Sequence, residues 1–504
     1  MATLSSEEFN KKLPGITQQI GKTTNRDLER VDQLVVIVPH KHGADIWRKI
    51  PQGNRLKDLI RTRAAKSVPA GITRLNNAKQ TRVVLAVHPK KADAFEKLTF
   101  ARKIVAAACD EKPGTIGILA VGFAAAEQTK VVTNVTVAAL AAAFVMPEYK
   151  SKPTPSPVRS IRLLGLKERI DLSRTLAEAS GNNLARWLTA LPPNKLDAVN
   201  YVNLAKEMAS ENGWQFKKYD VKELEKLGAG AFLAVAQGND NNSAAILHIR
   251  YRPGKKTATA DLSLVGKGII FDTGGTNLKP FTSMLDMHTD MGGSAVALST
   301  LKTISDLKLP MAVDCWLAIT ENRTGPSAYK SQDVLVAANG KTIQTIHTDA
   351  EGRLVLADTL VLAGREKPAF MIDYATLTGA CVTGISDRYS GVFSNRSKLH
   401  PILKRAGRKS GERVWPFPIG DEFVTDLKSE TADLVQCLAN GSGDHIYAAS
   451  FLSEFVDKTI PWVHVDLSAC SHKGGLAHVP SEITGFGVRF TMNLLLDQRI
   501  LDLA

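Results

Sequence analysis

"DLSLVGKGIIFDTGG", residues 261–275, joins an apolar run to a loop of aspartate and glycine. Such a run, bounded by turn residues, reads as a strand buried on both faces, of the kind that parallel sheets covered by helices require. "QLVVIVPH" (33–40), "RVVLAVHP" (82–89), "GTIGILAVG" (114–122), "AAILHIRY" (244–251) and "MAVDCWLAI" (311–319) have the same character. Helix-like segments alternate with them: "KADAFEKLTFARKIVAAACDE" (91–111), "LSRTLAEASGNNLARWLTAL" (172–191), "AVNYVNLAKEMASENG" (198–213) and "SAVALSTLKTISDL" (294–307). The alternation predicts an α/β fold.

A chain of 504 residues exceeds one typical core, and two domains are expected. The stretch "PEYKSKPTPSPVRS" (147–160) holds Pro153, Pro155 and Pro157, which forbid regular helix and favour a stiff extended connector. It places a smaller α/β domain over residues 1–160 and a larger α/β domain, with a mixed central sheet, over 161–504. Residues 1–170 hold 29 lysines and arginines against 14 acidic residues, a net +15, leaving 35 against 36 in the remainder. The basic excess is therefore confined to the first third and is densest from "RLKDLIRTRAAK" (55–66) to Lys91. A field of that sign attracts nucleic acid or an acidic partner, but no aromatic interleaving accompanies it, and a soluble basic surface is the simpler expectation.

Cys109, Cys315, Cys381, Cys437 and Cys470 are far apart, odd in number and without a CxxC pair, which fits a reducing compartment. The longest apolar run, "VTVAALAAAFVM" (135–146), is too short to cross a bilayer, which takes about 20 residues, and is expected as a buried helix. No membrane association is expected. The N-terminal "MATLSSEEFNKKL" lacks an apolar signal core and carries acids early, so a cytoplasmic location is expected.

The chemistry-bearing residues gather around the loop after the strand at 261–271. "VGKGIIFDTGGTNLKP" and "DMHTDMGGSA" supply Lys267, Asp272, Lys279 and Asp290, at the strand end where α/β sheets place their ligands. A phosphate cradle is the competing idea, but the segment does not fit GxxxxGK[ST]. Further on, "HTDAEGRL" (347–354) sets Asp349, Glu351 and Arg353 at alternate positions. In an extended strand all three would share one face; the plainer alternative is a solvated strand or helix start with a surface ion pair. Two carboxylates so close repel, and a divalent cation relieves the crowding.

Taken together, Lys267, Asp272, Lys279, Asp290, Asp349, Glu351 and Arg353 resemble the complete active site of the leucyl aminopeptidase family, the dinuclear-metal cytosolic aminopeptidases of the M17 type. HTDAEGRL stands for the family's NTDAEGRL, and VGKGxxFDxGG with the following lysine-proline also matches. "PPNKL", "ITENRTGPSAYKSQDVL", "DYATLTGAC", "AASFLSEFVD", "WVHVDLSA" and "TGFGVRF" extend the likeness across most of 190–504, whereas the first 160 residues carry no specific match.

The resemblance implies that Lys267, Asp272, Asp290, Asp349 and Glu351 hold two divalent ions, Zn²⁺ or Mn²⁺, which together activate a water for attack on a peptide carbonyl. Lys267 can ligate only as a neutral amine, and dications beside it oppose its protonation. Lys279 would stabilise the oxyanion, and Arg353 would hold a bicarbonate acting as general base. Met287, Thr376 and Gly379 match the usual lining of the pocket for the substrate's first side chain. His347 replaces the family's asparagine beside that pocket, and Ser468 and Ser471 are more polar than usual, so the residue preference, leucine or similar, is left open. "GSGDHIYAA" (441–449) departs from the family's small-residue pattern, with no consequence derivable from sequence. Taken singly, Lys279 could serve as a structural ion pair and Asp290 as a helix N-cap before "MGGSAVAL". His288, His347, His464 and His472 form no HExxH or similar ligand pair.

The expected function is removal of N-terminal residues from peptide substrates, and the resemblance implies a homohexamer of two trimers. The rival is a hexameric nucleic-acid-binding or scaffolding protein that uses its basic N-terminal domain, with peptidase activity secondary.

Overall fold

The computed structural model describes residue 9 and residues 13–62, 68–152, 154, 158–239, 243–254 and 259–503. Pro153, Pro155 and Pro157 of the expected connector, residues 63–66 of the basic stretch and most of the N-terminal segment lie outside the described residues. The chain divides into two compact units, one of residues 12–183 with 473–484, the other of residues 1–11, 184–472 and 485–504.

The first unit is built on a six-stranded sheet, in spatial order Gly15–Ile20, Ser160–Leu166, Thr115–Ala120, Gln33–Pro39, Arg82–His88 and Gly71–Arg74. All pairings are parallel except the last. Gln33 to Val38 are buried at every position, as a central parallel strand demands. The helix Ala94–Cys109 begins at a capping box in which Asp93 accepts from the Glu96 amide and Glu96 accepts from that of Asp93. Residues 135–143 of the run expected as a buried helix end the helix Ala125–Ala143, most of whose residues are buried, while Phe144 to Met146 leave it in an extended or irregular path. No helix among the described residues is long and apolar enough to cross a membrane. The expected boundary at residue 160 falls inside this unit. The strand that follows the proline stretch, Ser160–Leu166, hydrogen-bonds between Gly15–Ile20 and Thr115–Ala120, so its ladder belongs to the first sheet.

The second unit carries an eight-stranded mixed sheet, ordered Val414–Pro416, Ser390–Ser394, Trp462–Asp466, Met371–Ala375, Leu262–Asp272, Val313–Asn322, Ala245–Tyr251 and Gln215–Tyr219. Its four central strands, from Trp462–Asp466 to Val313–Asn322, run parallel, with antiparallel neighbours outside them. Parallelism brings the ends at Asp272, Asn322, Ala375 and Asp466 to one edge of the sheet. The helices Gly292–Asp306 and Glu351–Arg365 are almost wholly buried, with the former packed closely on the strand that opens the sequence argument. Gly266 makes that contact possible: a Cβ there would lie 2.4 Å from Ser294 Cα and 2.7 Å from Gly293 O. Because both obstacles are backbone, Gly266→Ala should cost at least about 1–3 kcal/mol by overpacking, read as a fall in the denaturant midpoint.

Candidate metal centre and active site

Lys267 and Asp272 stand five residues apart on the central strand Leu262–Asp272, one inside the sheet and one at its C-terminal end. Asp272 is held by its neighbours: its Oδ1 accepts from the Gly274 amide and from Asn322 Nδ2, each at 2.8 Å. Gly274 turns the chain away with a φ of +85°, a region that glycine enters without penalty. The same loop is tied to the distant "HTDAEGRL" segment through Thr348. Its hydroxyl donates to Gly274 O at 2.6 Å and accepts from the Asn277 amide at 2.8 Å, while its carbonyl accepts from Asn322 and from Tyr329.

The HTDAEGRL segment is not a strand. Asp349 lies in a turn, and Glu351 opens the helix Glu351–Arg365. Residues two positions apart on a helix are separated by roughly 200° about its axis, so Glu351 and Arg353 serve different neighbours instead of sharing one face. The plainer helix-start reading holds for the backbone, but these side chains are buried: Glu351 is 1% and Arg353 2% exposed.

Four carboxylates and two lysines meet here. Lys267 Nζ lies 2.8 Å from Asp290 and 2.9 Å from Glu351, and Lys279 Nζ 2.9 Å from Asp272 and 2.5 Å from Asp349. Lys267 also donates to Thr376 O at 3.0 Å, and Thr376 Oγ1 donates to Asp290 Oδ1 at 2.6 Å. Asp290 is therefore no N-cap: the helix Gly292–Asp306 starts at Met291 without a side-chain cap. Burial raises the carboxyl pKa values of Asp290, Asp349 and Glu351, and mutual repulsion adds to it. Burial opposes the charge on both lysines, but the surrounding carboxylates outweigh it and hold each pKa above the ordinary lysine value.

This donor set fits divalent cations. Ligand atoms of Asp272, Asp290 and Glu351 lie within 4.8 Å of one another, and Glu351 Oε2 is buried with no hydrogen-bond partner. Two lysine charges leave four carboxylates uncompensated by two, a deficit that metal ions would fill. Gly352 keeps the lysine in place: a Cβ there would meet Lys267 Cε and Nζ, each at 2.7 Å.

All five expected ligands, together with Lys279, Arg353, Met287, Thr376 and Gly379, line one cavity of about 550 Å³. Ser468 and Ser471 line it too, along with the apolar Leu377, Val382 and Leu467. His347 does not. It faces a neighbouring cavity of about 520 Å³ with Ala380, Cys437 and Leu438, because its amide and that of Ile346 are drawn onto Gln436 Oε1. Among the described residues no histidine lines the first cavity; His464 pairs with Asp373 at 2.6 Å and His472 with Asp387 at 2.8 Å.

Arg353 departs most from expectation. Its Nη2 donates to both carboxylate oxygens of Asp444, at 2.8 and 2.7 Å, and its Nη1 donates to Gln436 O at 3.1 Å. A bicarbonate on this guanidinium would have to share it with Asp444 or displace that carboxylate. Asp444 sits in "GSGDHIYAA", so the sequence signal was the departure from the small-residue pattern. Asn322, Thr348 and Gln436, which position the loops, were not singled out from sequence, because their partners are distant along the chain.

Residues 183–492 match the model of the cytosol aminopeptidase family, catalytic domain. A probable cytosol aminopeptidase of Sulfurihydrogenibium is 38% identical over a stretch that covers 64% of each chain, and one of Synechococcus elongatus is 33% identical over 95% of each. The bottromycin maturation enzyme BotP, solved in complex with Mn, superposes with a TM-score of 0.76 at 28% identity, covering 93% of this chain and 99% of that one. With residues 183–492 matching the family's catalytic domain, relatives alike over nearly the whole chain, and the candidate ligands gathered in one cavity, the chain belongs to the cytosol aminopeptidase family of metallo-aminopeptidase hydrolases.

Proposed function

We propose that the protein removes the N-terminal residue from short peptides, using two divalent metal ions held by Lys267, Asp272, Asp290, Asp349 and Glu351. The observation that carries this reading is the convergence of those five side chains and Lys279 on one cavity wall. The ions, Zn²⁺ or Mn²⁺, would supply Lewis-acid activation of the attacking water and of the scissile carbonyl; the Mn complex of BotP supports the second choice.

The chain's own groups do the rest. Lys267 would hold a metal ion only as a neutral amine, a form that neighbouring dications would favour. Lys279 keeps its proton and stands where negative charge develops on the carbonyl oxygen. Met287, Leu377, Val382 and Leu467 favour an apolar first side chain, leucine or similar, while Ser468 and Ser471 leave room for a polar contact. Assembly as a homohexamer is supported by the large apolar side chains Leu278, Phe281 and Leu285, which are 58–76% exposed beside Lys279. A cytoplasmic setting is supported by five cysteines that are all free. The nucleic-acid alternative rests on the net +15 of residues 1–170 alone.

Chelation should abolish hydrolysis of a panel of aminoacyl fluorogenic substrates while the apo-protein stays folded, because the lysines partly neutralise the emptied cluster. Return of Zn²⁺ or Mn²⁺ at a hundredfold above its Kd should restore turnover and stabilise the fold by about 2.7 kcal/mol; turnover that survives chelation would refute the metal assignment. Asp349→Ala or Glu351→Ala should reduce activity to background with the circular dichroism spectrum unchanged. Lys279→Met should lower kcat by on the order of 10²–10³-fold with little change in KM, and a rise in KM alone would contradict its role. Gly352→Ala, which pushes on Lys267, should weaken metal binding by about 10–100-fold in calorimetry, the usual effect of disturbing a ligand's support.

A further inference from the structure

Hydrolysis needs a group to take a proton from the attacking water and return it to the leaving amine. Outside the five metal ligands, the carboxylates that line the cavity are Asp387, Asp444 and Asp466. Asp466 is 1% exposed and turned into the 376–378 loop, where it accepts from Thr378 Oγ1 at 2.7 Å and from the Leu377 and Thr378 amides. Asp387 is paired with His472. Asp444 remains, its side chain 26% exposed and gripped through both oxygens by Arg353, two residues along the helix from Glu351.

The grip is a built feature. Arg353 is buried, and Gln436 fixes it from the other side while also holding the Ala350 carbonyl at 2.9 Å. A guanidinium so placed presents an anion to the cavity in fixed orientation. In this chain the anion is covalently part of the protein, the first residue of the helix Asp444–Ser453.

Building on the aminopeptidase reading above, we infer that Asp444 is the resident general base of this enzyme, occupying the seat on Arg353 that bicarbonate would otherwise fill and making turnover independent of bicarbonate. The Asp444 carboxylate accepts one proton from water as the water oxygen bonds to the scissile carbonyl carbon. That proton passes to the amine nitrogen as the C–N bond breaks, so the carboxylate is regenerated and one water is consumed per bond cleaved. The ion pair with Arg353 holds the carboxylate in the wall between turnovers.

The test uses the metal-loaded full-length protein and its D444A and D444N variants, assayed on a leucyl anilide in buffer stripped of carbon dioxide and again with bicarbonate added. Binding of ¹³C-bicarbonate, followed by line broadening, gives a readout independent of turnover. The wild type should respond to bicarbonate by less than about twofold and should not bind it. D444A should lose about 10²-fold or more of its rate, the usual contribution of a positioned base, and should recover much of it as bicarbonate enters the vacated seat. D444N, whose amide keeps the seat filled, should lose a similar factor without recovery. Stimulation of the wild type by bicarbonate, binding of the ion to it, or a D444A rate equal to wild type in stripped buffer would overturn the inference. If both variants misfold, the wild-type responses alone decide. A wild type inert on every aminoacyl substrate would instead count against the aminopeptidase reading, and the binding comparison would still report who occupies the arginine.

Discussion

Four carboxylates crowded into a buried space cannot all stay ionised without compensating positive charge, and the catalytic unit is organised around that constraint. The loops that carry Asp272, Asp290, Asp349 and Glu351 come from three separate parts of the chain, and repulsion alone would push them apart. Two lysine ammonium groups reach into the cluster within 2.9 Å and hold it together. Buried ion pairs bring little net stability once desolvation is counted; their effect here is geometric. They draw the four carboxylates around one small space, with Glu351 Oε2 left unpartnered.

The fold serves that space by rigid backbone contact. Parallel central strands bring Asp272, Asn322 and Asp466 to one edge, and glycines at 266 and 352 let a helix and a lysine approach more closely than any larger residue would allow. Thr348 and Gln436 then fasten the HTDAEGRL turn to two distant loops through main-chain groups. Side chains fixed in this way would lower the ordering cost of binding metal ions among them.

Much of this was legible from the residues. The apolar runs at 33–40, 82–89, 114–122 and 261–271 are strands in the structure, because burial on both faces leaves a continuous hydrophobic signature. The strands Gly15–Ile20 and Ser160–Leu166 were missed: they carry polar residues at alternate or irregular positions, and only their pairing reveals that the first unit runs past residue 160. The residues that the family likeness singled out as a group do line one cavity, but the alternation of Asp349, Glu351 and Arg353 suggested a strand where the chain starts a helix. His347 lines not that cavity but the one adjoining it, which shares Asp349, Ala350 and Asp444 with it; its amide donates to Gln436 Oε1, 89 residues away. Asp444 stood out in sequence only as an oddity; its partner, 91 residues distant, gives it meaning.

Anomalous diffraction from crystals of the protein soaked in Mn²⁺ or Zn²⁺ tests the central claim most directly. The account predicts two strong peaks enclosed by the oxygens of Asp272, Asp290, Asp349 and Glu351 and the amine of Lys267, with Lys279 displaced from its carboxylate partners but still in the cavity. A map without anomalous density there, and with both lysines still seated among the carboxylates, would contradict it.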